Sequence, residues 1–116
     1  MTILKRVVGD NMTDEISIYE IYVFNNPIAV DNWGRPQIGN YNSVGFYYEL
    51  ETAKKAVKEN WTDINEKGKY KAAMIVKKAP GLYPLSIIQG YYIFNNMTEK
   101  YDNVETPKEL ENYNLG

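Results

Sequence analysis

The stretch ISIYEIYVF, residues 16–24, predicts the sheet around which this chain folds. Side chains alternate between the two faces of a strand, and here both alternating sets are apolar apart from one serine and one glutamate. The two sets are Ile16, Ile18, Tyr22 and Phe24 on one face and Tyr19, Ile21 and Val23 on the other. Because apolar residues on both faces are typical of a covered strand, we predict an inner strand of a sheet.

Two further segments, residues 70–79 (YKAAMIVKKA) and 87–95 (IIQGYYIFN), also predict strands. In the first, one face is expected to be more apolar than the other. Tyr70, Ala72, Met74 and Val76 would point inward, and Lys71 and Lys77 towards solvent. Within the second, Gly90 indicates a bulge or a close approach of backbone.

The hexapeptide IYVFNN at residues 21–26 returns as YYIFNN at residues 91–96. Aromatic and β-branched residues favour strands, and paired asparagines mark where a strand gives way to a turn. We therefore interpret the repeat as two strand ends rather than a duplication, with a hairpin running from Asn95-Asn96 into residues 101–104. If the two strands are neighbours, their asparagines would cluster at one edge of the sheet.

The strongest helix prediction covers residues 50–66 and ends at Gly68. Its apolar stripe, spaced by three and four residues, is Leu50, Ala53, Val57, Trp61 and Ile64. Thr106-Pro107-Lys108-Glu109 forms a capping-box pattern, which predicts a short C-terminal helix over residues 107–113. We thus predict one α+β domain over residues 1–116: an antiparallel sheet of three to five strands, one long helix on one face, and residues 1–15 as a loose N-terminal arm or edge strand.

Composition excludes much chemistry. The chain has no histidine and no cysteine, so we expect no catalytic residues of the usual acid–base or thiol type, no metal site and no cofactor. Its net charge is −2, and its only arginines are Arg6 and Arg35, so we expect no direct nucleic-acid binding. No apolar run predicts a signal peptide or a membrane span, so we expect a cytoplasmic protein without membrane association.

Among the carboxylates, only Glu20 is embedded in a predicted strand. The others occupy predicted solvent faces, where acids serve solubility. A small hydrolase that works with carboxylates alone is therefore one alternative function, with Glu20 as its most interesting residue and a paired structural role as the competing interpretation.

Residues 25–45 form a long segment rich in Asn, Gly and Pro. A hairpin within it would pair residues 28–30 with 36–38 around the turn DNWGR, residues 31–35. Trp33, Arg35 and Asn32 of that turn are candidate binding residues, since Trp and Arg most often anchor interfaces. The competing interpretation is that Trp33 folds back onto its own sheet.

Tyrosine, with eleven copies, is the second signal of binding. Paired tyrosines in strands put one ring on each face, and surfaces rich in Tyr and Asn suit adaptable recognition. The candidates are Tyr41, Tyr48 and Tyr92. The competing interpretation is that tyrosine is simply a good strand former.

The block GFYYELETAKKAVKENWTDINEKGKYKAAMI, followed by GLYP, spans about residues 45–84 and resembles small uncharacterised proteins of Firmicutes and their phages and mobile elements. The resemblance implies a compact α+β unit and no particular activity.

From these observations we expect a non-catalytic binding protein, an anti-defence inhibitor of the anti-CRISPR type that blocks a host protein. The alternatives are a sponge for a small nucleotide-type signalling ligand, held between subunits of a homo-oligomer, and the carboxylate hydrolase.

Overall fold

A computed structural model of the chain describes residues 17–80 and 86–110 and confirms the α+β class. The main sheet has five antiparallel strands in the order β4-β1-β5-β6-β7. A small separate hairpin, β2–β3, lies in the connection from β1 to β4. The elements are β1 Ile18–Phe24, β2 Ala29–Val30, β3 Pro36–Gln37, β4 Tyr41–Tyr47, α1 Leu50–Lys58, β5 Ala72–Lys78, β6 Ser86–Asn95 and β7 Lys100–Val104, with 3-10 turns at Trp61–Asp63 and Lys108–Leu110.

The described part of β1 is an inner strand, as predicted, because it pairs with β4 on one side and β5 on the other. The repeated strands β1 and β6 are not neighbours; they flank β5. Both run antiparallel to β5, so the asparagines that follow them lie at the same end of the sheet. Lys71 separates them there: its N–H donates to the Phe24 carbonyl at 3.0 Å, and its carbonyl accepts from the Phe94 N–H at 2.9 Å.

Helix α1 covers one face of the sheet. Its buried side chains Ala53, Ala56 and Val57 pack against the odd-numbered residues of β1 and β5 and against two tyrosines from β6 and β7. The sheet residues of this core are Ile21, Val23, Ala73, Ile75, Tyr92 and Tyr101.

The opposite face carries a second core, which corrects the prediction of one better face for residues 70–79. Residues 72–76 of β5 are buried on both faces, with Ala72, Met74 and Val76 opposite the helix. Ile28, just before β2, and Leu110, in the last 3-10 turn, pack over them. A central strand is covered twice, so the alternation of side chains separates two cores rather than core and solvent.

The helix prediction over residues 50–66 was too long, since α1 ends at Lys58. Asn60 adopts the left-handed conformation (φ 53°) and stops the helix eight residues before Gly68. Asparagine tolerates this conformation better than most residues. Trp61 and Ile64 nevertheless contact the helix-side core, which is why they fitted a helical stripe.

The segment after α1 is unusually strained. Five residues other than glycine have positive φ: Asn60, Thr62, Asp63, Glu66 and Lys67. The side chain of Asn65, which is 3% exposed, holds the segment by donating to the Tyr70 carbonyl at 2.6 Å and accepting from the Gly68 N–H. Such conformations persist only where surrounding bonds impose them.

The hairpin predicted within residues 25–45 is confirmed, with Ala29 opposite Gln37 and Val30 opposite Pro36. Strand β4, at the end of the same segment, was not predicted. Its glycine, asparagine and serine lower strand propensity, and only its position beside β1 gives it a partner.

The region around β6 agrees with the sequence prediction. The register with β5 shifts beside Gly90, and a Cβ on Gly90 would lie 3.0 Å from the Tyr92 ring. The β6–β7 hairpin forms, but Glu99 rather than an asparagine takes the left-handed position (φ 59°). Asn95 instead accepts hydrogen bonds from the N–H groups of Met97 and Thr98.

At the C-terminal end, the described chain contains a 3-10 turn closed by the Leu110 N–H on the Pro107 carbonyl at 3.0 Å. The rest of the predicted helix, residues 111–113, and the predicted N-terminal arm lie outside the described residues. The single domain over residues 1–116 stays a prediction. Over the described ranges, no helix has the length and apolar character to cross a bilayer.

Candidate binding surface

One carboxylate organises the turn between β2 and β3. The backbone of Asp31 donates to the Arg35 carbonyl at 2.9 Å and accepts from the Gly34 N–H at 3.0 Å. Its Oδ1 accepts from the backbone N–H groups of Trp33 and Arg35, both at 2.9 Å. Its Oδ2 accepts from Arg35 Nε at 3.0 Å and Gln37 Nε2 at 3.3 Å. The turn is therefore held in one arrangement by its own side chain.

Trp33 and Arg35 project from this turn into solvent. Trp33 is 76% exposed and the Arg35 side chain 70% exposed, and the guanidinium carbon lies 5.2 Å from the centroid of the indole. Asn32, between Asp31 and Trp33, is also exposed. The interpretation in which Trp33 folds back on its own sheet is wrong, and the three predicted residues of the turn are all exposed.

Asp31 is stabilised as an anion. The hydrogen bond from the Arg35 backbone holds the pKa of Asp31 below its usual range; the bonds from the Trp33 backbone and the Arg35 side chain add to this and outweigh desolvation. At neutral pH the Asp31 carboxylate is therefore ionised, and both of its oxygens can accept hydrogen bonds from the turn.

The base of the hairpin is attached to the sheet. The backbone N–H of Ile28 donates to the Tyr91 hydroxyl at 2.8 Å, and Ile28 is only 8% exposed. Ile38, on the other side of the hairpin, packs against the same core. The exposed turn thus stands on a base fixed by burial and by a bond to β6.

The predicted tyrosines fall into two groups. Tyr41 is 38% exposed and its ring contacts those of Tyr22 and Phe24, while Tyr48 is 72% exposed and stacks edge-to-face on Phe46. Both belong to the outer edge of the sheet, along or just after β4. Tyr92 must be corrected: it is fully buried under α1 and takes no part in a surface.

Among the exposed apolar residues that the sequence analysis missed, two lie in β4. Val44 and Phe46, both in β4, are 43% and 49% exposed. An uncharged strand among Asn and Gly was the available signal, but it was interpreted as loop.

Glu20 lies in a polar cluster on the sheet face opposite α1. Its Oε1 accepts from the Tyr22 hydroxyl and from Lys78 Nζ, both at 3.0 Å, and its Oε2 accepts from the Ser43 hydroxyl. Lys78 also donates to the Tyr22 hydroxyl and lies 5.0 Å from its ring centroid. Three neighbouring strands each contribute to this cluster.

The electrostatics of the cluster favour its charged forms. Burial alone would raise the pKa of Glu20, but the hydrogen bonds from Ser43, Lys78 and Tyr22 lower it overall. Desolvation opposes the charge on Lys78, yet its bonds to Tyr22 and Glu20 raise its pKa. The pKa values of Glu20 and Lys78 are thus both shifted further from neutral pH, whereas a general acid or base works best with a pKa near the working pH. The arrangement is that of a structural ion pair.

In the described part of the chain, the predicted binding residues do not meet at a group of metal ligands or in the pocket beside α1. Among residues 17–80 and 86–110, no cluster of three acidic side chains has the geometry to hold a metal ion. A pocket of about 410 Å³ lies between the segment after α1 and β4, with Trp61, Tyr47 and Asp63 among its lining residues. None of the six predicted binding residues lines it.

Comparison with family models, curated proteins and solved structures found no match to this chain. The resemblance of residues 45–84 to proteins of Firmicutes and their mobile elements therefore stays a prediction.

Proposed function

We propose that this protein is a non-catalytic binding protein whose anchor is the turn formed by Asp31, Asn32, Trp33, Gly34 and Arg35. The observation that carries the proposal is an indole that is 76% exposed on a turn whose conformation is already imposed by Asp31. Solvent exposure of a whole indole gives the fold little, whereas burial of that ring against a partner releases apolar surface from water.

The chemistry of the turn favours a protein partner. Trp and Arg are the residues most often found as energetic anchors of interfaces, and here the guanidinium lies over the indole as one unit. The backbone of the turn is held by its own hydrogen bonds before binding, which lowers the ordering entropy that association costs. The partner we infer presents an apolar pocket for the indole and acceptors for the guanidinium at its rim.

The wider proposal is that the partner is a host protein which this chain blocks in the cytoplasm, as anti-CRISPR proteins of phages and mobile elements do. Small size, net negative charge and the absence of His and Cys are compatible with an inhibitor that works by occupancy. The ion-paired state of Glu20 supports the same view, because it argues against the carboxylate hydrolase.

The test is recovery of the tagged protein from its native host cells, followed by native mass spectrometry and reconstitution with the purified partner. Trp33→Ala combined with Arg35→Ala should remove the partner. Met97→Ala is the matched control, because Met97 is an apolar residue that is 94% exposed at a different hairpin turn. A partner that binds the double variant as tightly as the unmodified chain would refute the proposal. A bound small molecule in place of a protein would favour the nucleotide sponge.

A further inference from the structure

Strand β4 is the outer strand of the described sheet on one side. It is seven residues long, and four of its residues, Tyr41 to Val44, are exposed in succession. Alternate backbone N–H and C=O groups of an outer strand point away from the sheet, where they can pair with another strand. Within residues 17–80 and 86–110, β1 is the one strand that pairs with β4.

The two edges of the sheet differ in charge. The opposite edge, β7, carries Lys100 and Asp102 and is flanked by Glu99 and Glu105. Charges on an edge strand discourage pairing with another chain. By contrast, the thirteen residues from Pro36 to Tyr48, which include all of β4, contain no charged side chain. Charge therefore protects one edge from association, and the other edge lacks this protection.

A bulge lies at the centre of β4. Ser43 pairs with Tyr22 and Gly45 pairs with Ile21, so Val44 is the extra residue. Gly45 has φ +140°, which only glycine adopts readily. The bulge divides the outer edge into two short segments, 41–43 and 45–47, on either side of Val44, the middle residue of the strand.

We propose that β4 pairs antiparallel with β4 of a second copy of this chain, so that two five-stranded sheets join into one. A two-fold axis at Val44 sets residues 41–43 of one copy against 45–47 of the other and brings the two bulges together at the axis. The side chains buried in this contact would include Val44 and Phe46, which are exposed in the single chain.

Because β4 carries no charged side chain, its outer edge favours β4 of a second copy as the partner strand. In a two-fold contact each residue lies near its own counterpart, and any charge near the axis would face a like charge. A different partner that is selected by charge would need complementary charges along the edge, and this edge offers none. The inference does not depend on the proposed function: the turn at Trp33 is a separate surface, and a dimer would present two of them.

The first test is the mass of the full-length protein in solution at about 100 µM, by sedimentation or light scattering. We expect a dimer of the 13.4 kDa chain, and we expect Val44→Lys to give a monomer because two added charges would meet at the axis. Asn103→Lys, on the exposed part of β7, is the matched control and should remain dimeric. An unmodified chain that is monomeric up to about 1 mM, or a Val44→Lys variant that stays dimeric, would overturn the inference.

The second test does not depend on whether Val44→Lys folds. Because the chain has no cysteine, Val44→Cys places a single thiol at the expected axis. Directly opposed strand residues have Cα atoms about 4.5–5.5 Å apart, within the range that a disulfide spans. Under mild oxidation Val44→Cys should form a covalent dimer quickly, while Asn103→Cys should remain mostly monomeric. Equal rates of crosslinking at the two positions would contradict the pairing.

Discussion

The guanidinium carbon of Arg35 lies 5.2 Å from the centroid of the Trp33 indole, and the Nε of the same arginine bonds to Asp31 Oδ2 at 3.0 Å. Arg35 is therefore held from two sides: a carboxylate fixes its position and an aromatic ring fixes its orientation. The result is a cation and an apolar ring arranged side by side before any partner arrives. This arrangement is the basis of the proposal that the turn binds a partner.

Replacing Asp31 by Asn should loosen the turn, because it removes the charge that holds the Arg35 guanidinium and weakens the bonds accepted by the two carboxylate oxygens. The readout is the fluorescence of Trp33 alone, measured in a Trp61→Phe background. We expect more quenching by a soluble quencher in Asp31→Asn, with little change in thermal unfolding.

The same approach tests the pKa: because the folded pKa of Asp31 is lowered, its contribution is present above the ordinary aspartate pKa and is lost as the pH falls through the lower folded value.

The fluorescence of Trp33 should therefore change at a pH below the ordinary aspartate pKa, and this transition should be missing in Asp31→Asn. If both proteins show the same transition, another carboxylate controls the turn.

Strain at Thr62 predicts a stabilising substitution. Thr62 is exposed, β-branched and left-handed, with φ 54°. Asn accepts this conformation more easily, so Thr62→Asn should raise the free energy of unfolding by about 1 kcal/mol. Thr52→Asn, within α1, is the control and should change it by less than about 0.5 kcal/mol, since Thr and Asn have similar helix propensities. Chemical denaturation of both variants measures the difference; equal effects would argue against strain.

Two buried tyrosines should respond differently to loss of the hydroxyl. The Tyr101 hydroxyl donates to the Tyr70 carbonyl at 2.8 Å, and burial raises the pKa of Tyr101 to about 12. The Tyr92 hydroxyl is buried and makes no hydrogen bond of good geometry among the described residues. Burial raises the pKa of Tyr92, and the Asn103 side chain nearby only partly offsets this rise. Tyr101→Phe should therefore cost about 1 kcal/mol of unfolding free energy, and Tyr92→Phe should be neutral or stabilising. A larger loss in Tyr92→Phe would mean that its hydroxyl is satisfied.

Removal of Lys78 should be costly, because it leaves Glu20 partly buried without its cation. Both side chains of this pair are 20% exposed. Lys78→Met is expected to lower the free energy of unfolding by about 1–3 kcal/mol. Lys54→Met is the control, since Lys54 pairs at 3.4 Å with a Glu51 side chain that is 83% exposed, and such surface pairs contribute about 0–1 kcal/mol.

The pH dependence of the Glu20 pair has a definite sign. A lowered pKa stabilises the fold above the ordinary glutamate pKa, and this stability is lost as the pH falls through the folded value. Loss of Lys78 should raise the pKa of Glu20, so acid unfolding should begin at a higher pH in Lys78→Met than in Lys54→Met. Identical acid profiles would contradict the role given to Lys78.

The sequence predicted what depends on local pattern. Alternation of side chains predicted the strands over residues 18–24 and 86–95. Turn residues and glycine predicted the hairpin around residues 31–35 and the bulge beside Gly90. The errors arose where tertiary contacts decide. Strand β4 has weak propensity and forms because β1 needs a partner; the helix stops at Asn60 because bonds to Asn65 and Tyr70 hold the following segment.

The candidate site divides in the same way. Trp33, Arg35 and Asn32 were chosen as candidate binding residues because Trp and Arg most often anchor interfaces. The sequence left open whether Trp33 folds back on its own sheet, and only the structure shows that it is exposed. Tyr92 was assigned to the surface because alternation cannot say that both faces of a sheet are covered. The role of Asp31 was not foreseen, although aspartates in turns often accept a hydrogen bond from the backbone two residues on, as Asp31 does from Trp33.

The central claim is that Trp33 and Arg35 are used for binding and not for folding. The most direct test measures two quantities on the same samples: the thermal unfolding midpoint, and the dissociation constant for the reconstituted partner. For Trp33→Ala with Arg35→Ala we predict an unchanged midpoint and affinity weakened by at least about 30-fold, equivalent to about 2 kcal/mol. A midpoint that falls sharply while the dissociation constant stays the same would contradict the account.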